Sequence, residues 1–72
     1  MPYFYLVTAD GIETKCNLSP STAFGPFMIN YFKMVKCSPE SKLLFDGTII
    51  KDIDTCKSLG VIDGCYIDFL KV

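Results

Sequence analysis

Three Asp-Gly pairs constrain this chain more than any other feature of its sequence. They stand at Asp10-Gly11, Asp46-Gly47 and Asp63-Gly64, and each is a turn signal in a chain of only 72 residues. The segments between them are expected to be short elements joined by tight turns. We therefore expect one small domain over residues 1–72.

The first Asp-Gly pair is predicted to join two strands. Residues 3–8 are dense in aromatic and β-branched side chains, and residues 12–18 alternate between apolar and polar ones. A two-residue turn places Tyr5 opposite Cys16. In that register the odd-numbered residues of the first strand face the interior of the domain, and the even-numbered ones face solvent.

A helix is predicted over residues 23–36, after a turn at residues 19–22 whose serine and threonine hydroxyls are expected to cap it. Proline is tolerated only in the first turn of a helix, so Pro26 sets the start of regular helix near residues 24–26. Apolar residues recur at helical spacing and form one face, which indicates a core stripe. These residues are Phe24, Phe27, Met28, Tyr31 and Val35.

The remaining half of the chain is predicted to contain short strands and one capped helical turn. The predicted elements are a strand over residues 42–45, a strand or turn over 48–53, a capped turn over 55–58 closed by Leu59-Gly60, and a last strand over 65–72. Together with the hairpin and the helix, this order predicts an α+β fold. Its sheet is mixed, and the one main helix packs across a face of that sheet.

The side-chain inventory argues against catalysis. The chain has no His, Arg or Trp, and its net charge is −1. His is the commonest general base and metal ligand, and Arg supplies the fork that binds phosphates and guanine edges. Cys56 beside Lys57 is the one loose candidate for a nucleophile, but no His is present to activate it. We expect a binding module without enzymatic activity, cofactor or metal, and without a nucleic-acid or membrane partner.

The four cysteines permit two interpretations. They stand at Cys16, Cys37, Cys56 and Cys65, and no C-x-x-C spacing indicates a zinc site. A disulfide framework is one possibility in so short a chain. Because no secretory signal precedes them, we favour reduced, mostly buried thiols and a protein of the nucleus or cytoplasm.

One part of the sequence resembles a known family. Leu-Leu-Phe-Asp-Gly-Thr-Ile-Ile at residues 43–50, followed by Leu59-Gly60 and by Asp-Gly-Cys-Tyr-Ile at residues 63–67, is similar to the C-terminal half of SUMO. The Leu-Gly and Asp-Gly pairs make the resemblance closer to SUMO than to ubiquitin. The resemblance implies the β-grasp fold of ubiquitin-like domains.

Two departures from the SUMO pattern bear on function. The sequence ends Leu70-Lys71-Val72, whereas SUMO and ubiquitin end in a diglycine whose carboxylate is activated and joined to a target lysine. We therefore expect a SUMO-like or ubiquitin-like domain that acts by non-covalent contact; the alternative is a covalent modifier whose diglycine tail is absent from this sequence. Thr14 stands where the second SUMO strand carries a bulky apolar side chain beside the groove for SUMO-interacting motifs, which weakens that groove.

Strand alternation predicts an apolar patch on the solvent face of the sheet. Its apolar members are Phe4, Leu6, Leu44 and Leu70, mixed with Lys15, Lys42, Tyr66 and Asp68. Leu44 and Leu70 fall where ubiquitin carries its recognition patch, and Asp68 replaces the His of that family. The alternative interpretation is a scatter of surface hydrophobic residues, which is common on any protein. A different alternative is a structural subunit that uses Phe4, Leu6, Leu44 and Leu70 as a permanent interface.

A polar set lies beside this patch. The resemblance implies that Lys42, Asp46, Gly47 and Asp63 match the SUMO surface that docks non-covalently on the SUMO-conjugating enzyme. The alternative is that both Asp-Gly pairs are simply turns, whose geometry favours Asp and Gly. We expect the partner to be a protein, namely a conjugating enzyme of the SUMO or ubiquitin type or a receptor, and the chain to be monomeric by itself.

Overall fold

A computed structural model of the chain describes residues 1–72. It contains five strands and two helices in an α+β arrangement, as predicted. In chain order they are β1 (Tyr3–Val7), β2 (Glu13–Asn17), α1 (Phe24–Met34), β3 (Lys42–Phe45), β4 (Thr48–Ile49), α2 (Cys56–Leu59) and β5 (Cys65–Leu70).

The five strands form one mixed sheet in the order β2-β1-β5-β3-β4. The first and last strands, β1 and β5, lie side by side and are parallel, while the other neighbouring pairs are antiparallel. Helix α1 packs across one face of this sheet. The mixed sheet covered by one main helix confirms the predicted β-grasp architecture.

The β1–β2 turn is one residue longer than predicted. Gly11 N donates to the Thr8 carbonyl at 2.9 Å, and Thr8 N donates to the Ile12 carbonyl at 3.0 Å. Gly11 has φ 85°, so it occupies the left-handed position that closes a three-residue loop. The Thr8 hydroxyl also bonds to the carboxylate of Asp10, which holds the pKa of that carboxyl below its usual value.

The longer turn shifts the strand register by one residue. Tyr5 pairs with Lys15, and Cys16 lies opposite Phe4. A shift of one residue moves every side chain of a strand to the other face, because side chains alternate with a period of two. The predicted inside and outside of β1 are therefore exchanged, whereas those of β2 are as predicted.

The start of α1 is held by distant backbone atoms. No side chain caps the helix. Instead, Phe24 N donates to the Asp54 carbonyl at 2.8 Å and Gly25 N donates to the Asp52 carbonyl at 2.9 Å. These bonds satisfy amide groups that have no partner inside the helix. The hydroxyl cap expected from residues 19–22 is therefore wrong.

An aromatic network fills the space between α1 and the sheet. Ring centroids 5.6–5.9 Å apart connect Phe4, Phe24, Phe27, Tyr31, Phe69 and Phe32 in a continuous series. The predicted helix stripe lies on this side, with Phe24, Met28 and Tyr31 buried and the other two members partly buried. Phe32 is buried as well, so the apolar face of the helix is wider than predicted.

The second half of the chain follows its sequence signals closely. Thr55 accepts a hydrogen bond from Ser58 N, and the Ser58 hydroxyl accepts one from Thr55 N, which completes a reciprocal cap on α2. Gly60 ends this helix at φ 79°. Strand β5 stops at Leu70, two residues short of the prediction. All four cysteines are free, and Cys56 is the one that is fully buried.

Candidate protein-interaction surface

The face of the sheet that points away from α1, called the outer face below, carries a mixture of aromatic, aliphatic and charged side chains. Burial alternates along the strands, which identifies the side chains on this face. They are Tyr3, Tyr5 and Val7 on β1, Glu13, Lys15 and Asn17 on β2, Lys42 and Leu44 on β3, Ile49 on β4, and Tyr66, Asp68 and Leu70 on β5. No helix covers them.

Phe4 and Leu6 are not on this face. Both were predicted to face solvent, but they are 0% and 1% exposed and belong to the core. The physical reason is the three-residue turn, which turns the even-numbered residues of β1 toward α1. A partner cannot contact either side chain without unfolding the domain. The prediction that Phe4 and Leu6 belong to the interface is therefore wrong. The permanent interface of the structural-subunit alternative loses the same two residues.

A row of three aliphatic side chains and one carboxylate crosses four strands of the outer face. Val7 lies opposite Asp68, Asp68 lies opposite Leu44, and Leu44 lies opposite Ile49. Ile49 is 50% exposed, and so is Leu70 two residues after Asp68. Leu44, Asp68 and Leu70 were predicted for this surface, and the register brings them together. The exposed aliphatic side chains of this row, together with Leu70, form an apolar surface whose hydration is unfavourable.

A tyrosine cluster, formed by Tyr3, Tyr5 and Tyr66, continues this surface toward β2. The Tyr5 and Tyr66 rings stack with centroids 5.3 Å apart, and the Tyr3 ring meets Tyr5 edge-on at 6.0 Å. The Lys15 ammonium lies 4.5 Å from the centre of the Tyr3 ring. Such rings are rigid and amphipathic, which suits them to protein contacts.

Sequence reasoning missed Tyr3, Tyr5 and Val7 as surface residues because it assigned them to the interior. The one signal that bears on this is the turn, since Gly11 also fits the left-handed position of a three-residue loop. Tyr66 was assigned to the outer face, where it is 58% exposed.

The predicted polar set is only partly brought together. Asp46 and Gly47 form the β3–β4 turn, with φ of 56° and 80°, and Asp63 precedes β5 at the same end of the sheet. Lys42 starts β3 and lies opposite Leu70 at the other end. A strand rises about 3.3 Å per residue, so the length of β3 separates this lysine from the two carboxylates.

Asp63 has a structural role. Its Oδ1 accepts a hydrogen bond from Tyr3 N at 3.1 Å, and the neighbouring Gly64 N donates to the Tyr3 carbonyl at 3.0 Å. These two bonds fix the start of β1 beside the start of β5. One oxygen of this carboxylate is therefore already engaged within the domain.

Metal-binding and thiol chemistry were also compared with the structure. No three His, Cys, Asp or Glu side chains lie close enough together to hold a metal ion. Burial raises the pKa of the Cys16 and Cys56 thiols, which keeps both in the protonated form that is a poor nucleophile. Neither helix is long and apolar enough to cross a lipid bilayer.

Comparison with known proteins gives matches among solved structures. No protein-family model matches the chain, and no curated protein sequence matches it. Ubiquitin of Caldiarchaeum subterraneum is 26% identical with a TM-score of 0.84, and the alignment covers 99% of this chain and 92% of that one. A chain from the crystal structure of ATBAG1 in complex with HSP70 is 15% identical with a TM-score of 0.82; the alignment covers 99% of this chain but only 40% of that longer one. The likeness in architecture establishes a ubiquitin-like β-grasp fold.

Proposed function

We propose that this domain is a non-covalent protein-interaction module that docks on conjugation machinery, or on regulators of that machinery, through its outer face. The observation that carries the proposal is the row formed by Val7, Asp68, Leu44 and Ile49, which the strand register places side by side. Function in such a module comes from the contact surface and requires no catalytic group.

The composition of the outer face is that of an interface. Exposed aliphatic and tyrosine side chains make up much of it, with Asp68 among them on the middle strand β5, while Glu13, Lys15 and Lys42 supply both signs of charge around them. Interfaces combine an apolar centre with a polar rim, and aromatic residues are enriched in them. Charges at the rim set specificity and the rate of association more than affinity.

The comparisons support a protein partner. A chain with this fold occurs in the structure of ATBAG1 in complex with HSP70, and another match is a ubiquitin. The resemblance of residues 43–67 to SUMO favours a conjugating enzyme of the SUMO type within this class. The same class includes the ubiquitin-conjugating enzymes, so both are partners to test.

The test is an NMR titration of the isotopically labelled chain with a SUMO-conjugating enzyme and, separately, a ubiquitin-conjugating enzyme. We expect amide shifts on β1, β3 and β5 with at least one of them. Leu70→Ser and Tyr66→Ser should each weaken binding about tenfold, since central interface residues contribute ~1–2 kcal/mol or more. Ile53→Ser is the matched control, because Ile53 is 82% exposed but lies in the loop after β4.

The absence of shifts on the outer face with either enzyme at millimolar concentration would refute docking on conjugating enzymes. Equal weakening by Leu70→Ser and by the Ile53→Ser control would show that the outer face is not the contact surface. Light scattering on the free chain tests the expected monomer, because self-association through the same residues would compete with a partner.

A covalent modifier is the second candidate. The observation in its favour is the 26% identity to an archaeal ubiquitin over 92% of that chain. The sequence encoded after Val72 distinguishes the two candidates, because attachment to a lysine requires a diglycine. If a Gly-Gly follows, incubation of the full-length chain with activating enzyme and ATP should give a thioester that reducing agent removes.

A further inference from the structure

A cavity of about 510 Å³ opens on the helix side of the domain, where α1 meets β3 and β4. It opens on the side of the sheet that α1 covers, and it meets the outer face at the edge formed by β3 and β4. Its volume falls within the range of roughly 300–1,000 Å³ that is common for binding sites. The proposed docking surface does not account for it.

The cavity has an apolar floor and an apolar mouth. Met28, Phe32 and Ile50 form the floor and are 8%, 6% and 4% exposed. At the mouth, Ile29 on α1 and Ile49 on β4 are 57% and 50% exposed. Ile49 lies on the edge strand and borders both this cavity and the outer face. An apolar side chain from a partner would therefore be buried on several sides.

The charges around the cavity are unbalanced. Lys33, Lys42 and Lys51 are among its lining residues, and Asp52 is the only carboxylate among them. The chain as a whole carries a net charge of −1. A local excess of positive charge on a slightly acidic protein attracts an anionic partner and orients it.

We propose that this cavity is a docking groove for an acidic peptide segment of a partner protein, in which one or two large apolar side chains enter the cavity and adjacent carboxylates face the lysines. The apolar floor supplies affinity, and the lysines select against neutral and basic segments. The groove and the outer face share Lys42 and Ile49 at the β3–β4 edge of the sheet, so a partner that covers these residues on one surface competes with a partner on the other.

The probe is a blocked hexapeptide of leucine and phenylalanine followed by four glutamates, and its matched control replaces the glutamates by glutamines. Binding is followed by the NMR shifts of the Met28 and Ile29 methyl groups in the full chain. We expect these methyls to shift with the acidic peptide, and the affinity to fall as salt is added. The glutamine peptide should bind at least fivefold more weakly, as expected when roughly 1 kcal/mol of charge contact is lost.

Charge reversal locates the contact. Lys33→Glu with Lys51→Glu should weaken binding of the acidic peptide about tenfold, since exposed ion pairs contribute ~0.2–1 kcal/mol each and the reversed charges repel. Lys57→Glu on α2 is the control, because it makes the same change in charge as each of the two reversals made singly. Ile29→Ser should weaken the binding of both peptides, and it leaves the buried floor of the cavity intact.

Several results would overturn the proposal. These are equal binding of the two peptides, equal effects of the control and the double reversal, and methyls that do not respond at millimolar peptide. Shifts confined to β2 or to the outer face would place the peptide elsewhere. Methyl shifts that depend on protein concentration alone would identify a second copy of this chain as the occupant. None of these results bears on the titration of the outer face with conjugating enzymes, so the two proposals fail independently.

Discussion

Phe4 and Tyr5 are adjacent aromatic residues on opposite faces of β1. Alanine substitution at each tests which of the two faces is buried. Phe4 is 0% exposed, and its ring contacts Phe24 and Phe27 at centroid distances of 5.8 and 5.9 Å. Truncation of a buried phenylalanine costs about 3–5 kcal/mol. A domain of this length has a free energy of unfolding of about 4–11 kcal/mol. We therefore expect Phe4→Ala to be at the margin of folding.

Tyr5→Ala should be tolerated. Its ring is partly exposed and stacks on Tyr66 at 5.3 Å, on the face that no helix covers. Loss of one aromatic pair costs roughly 0.5–1.5 kcal/mol. The two substitutions should therefore differ by at least about 1.5 kcal/mol, although they stand side by side in the sequence.

The measurement is urea unfolding followed by far-ultraviolet circular dichroism, with the slope of the transition as a check on two-state behaviour. Phe4→Leu keeps most of the volume and provides a folded variant if Phe4→Ala is unfolded throughout. We expect Phe4→Leu to lower the midpoint more than Tyr5→Leu. If the tyrosine substitutions cost as much as those at Phe4, the assignment of the two faces is wrong, and the outer face as described does not exist.

Three further substitutions test single contacts. Gly25→Ala would place a Cβ 3.1 Å from Asp52 Cβ and 3.2 Å from the Asp52 carbonyl oxygen. We therefore expect the free energy of unfolding in urea to fall by about 1–3 kcal/mol, although alanine has the better helix propensity. A rise in stability would contradict this packing. Thr55→Ala removes the hydroxyl that accepts a hydrogen bond from Ser58 N at 3.0 Å. It should lower the free energy of unfolding by about 1 kcal/mol, which corresponds to a fall in Tm of roughly 4–8 °C. An unchanged Tm would show that the cap contributes nothing. Burial raises the pKa of the Cys56 thiol, so its contribution to stability is full below the unfolded thiol pKa of about 8.5 and declines as pH rises above it. The difference in urea midpoint between wild type and Cys56→Ala should therefore narrow from pH 8 to pH 10, and a constant difference would contradict the shift.

The second half of the fold was predictable because its signals are local. Asp46-Gly47 determines the turn between β3 and β4, and the Thr55–Ser58 cap determines α2. In β5 the buried Ile67 and Phe69 alternate with exposed neighbours. Each of these features depends on residues a few positions apart, and the sequence displays them directly.

The faces of β1 were not predictable in the same way. Tyr-Phe-Tyr-Leu-Val at residues 3–7 is apolar or aromatic at every position, so alternation does not reveal which face is buried. Only the length of the turn decides, and Asp10-Gly11 fits both a two-residue and a three-residue loop. Leu44, Asp68 and Leu70 were therefore placed correctly on the outer face, whereas Phe4 and Leu6 were not.

The cap of α1 and the cavity beside it depend on contacts between distant parts of the chain. The amides of Phe24 and Gly25 donate hydrogen bonds to the carbonyls of residues 54 and 52. No local sequence pattern predicts such partners. The three lysines of the cavity come from α1, from β3 and from the segment after β4. Their proximity is a property of the packed sheet and helix.

The adjacency of β1 and β5 also has a consequence for how the domain forms during synthesis. The first strand pairs with the last, from Phe4 beside Cys65 to Val7 beside Asp68. While a ribosome is still making residues 65–70, β1 has one of its two sheet neighbours and the aromatic core lacks Phe69. Pairing across such a sequence separation slows folding. We therefore expect nascent chains shorter than about 65 residues to remain protease-sensitive and the domain to fold as one unit after β5 has emerged.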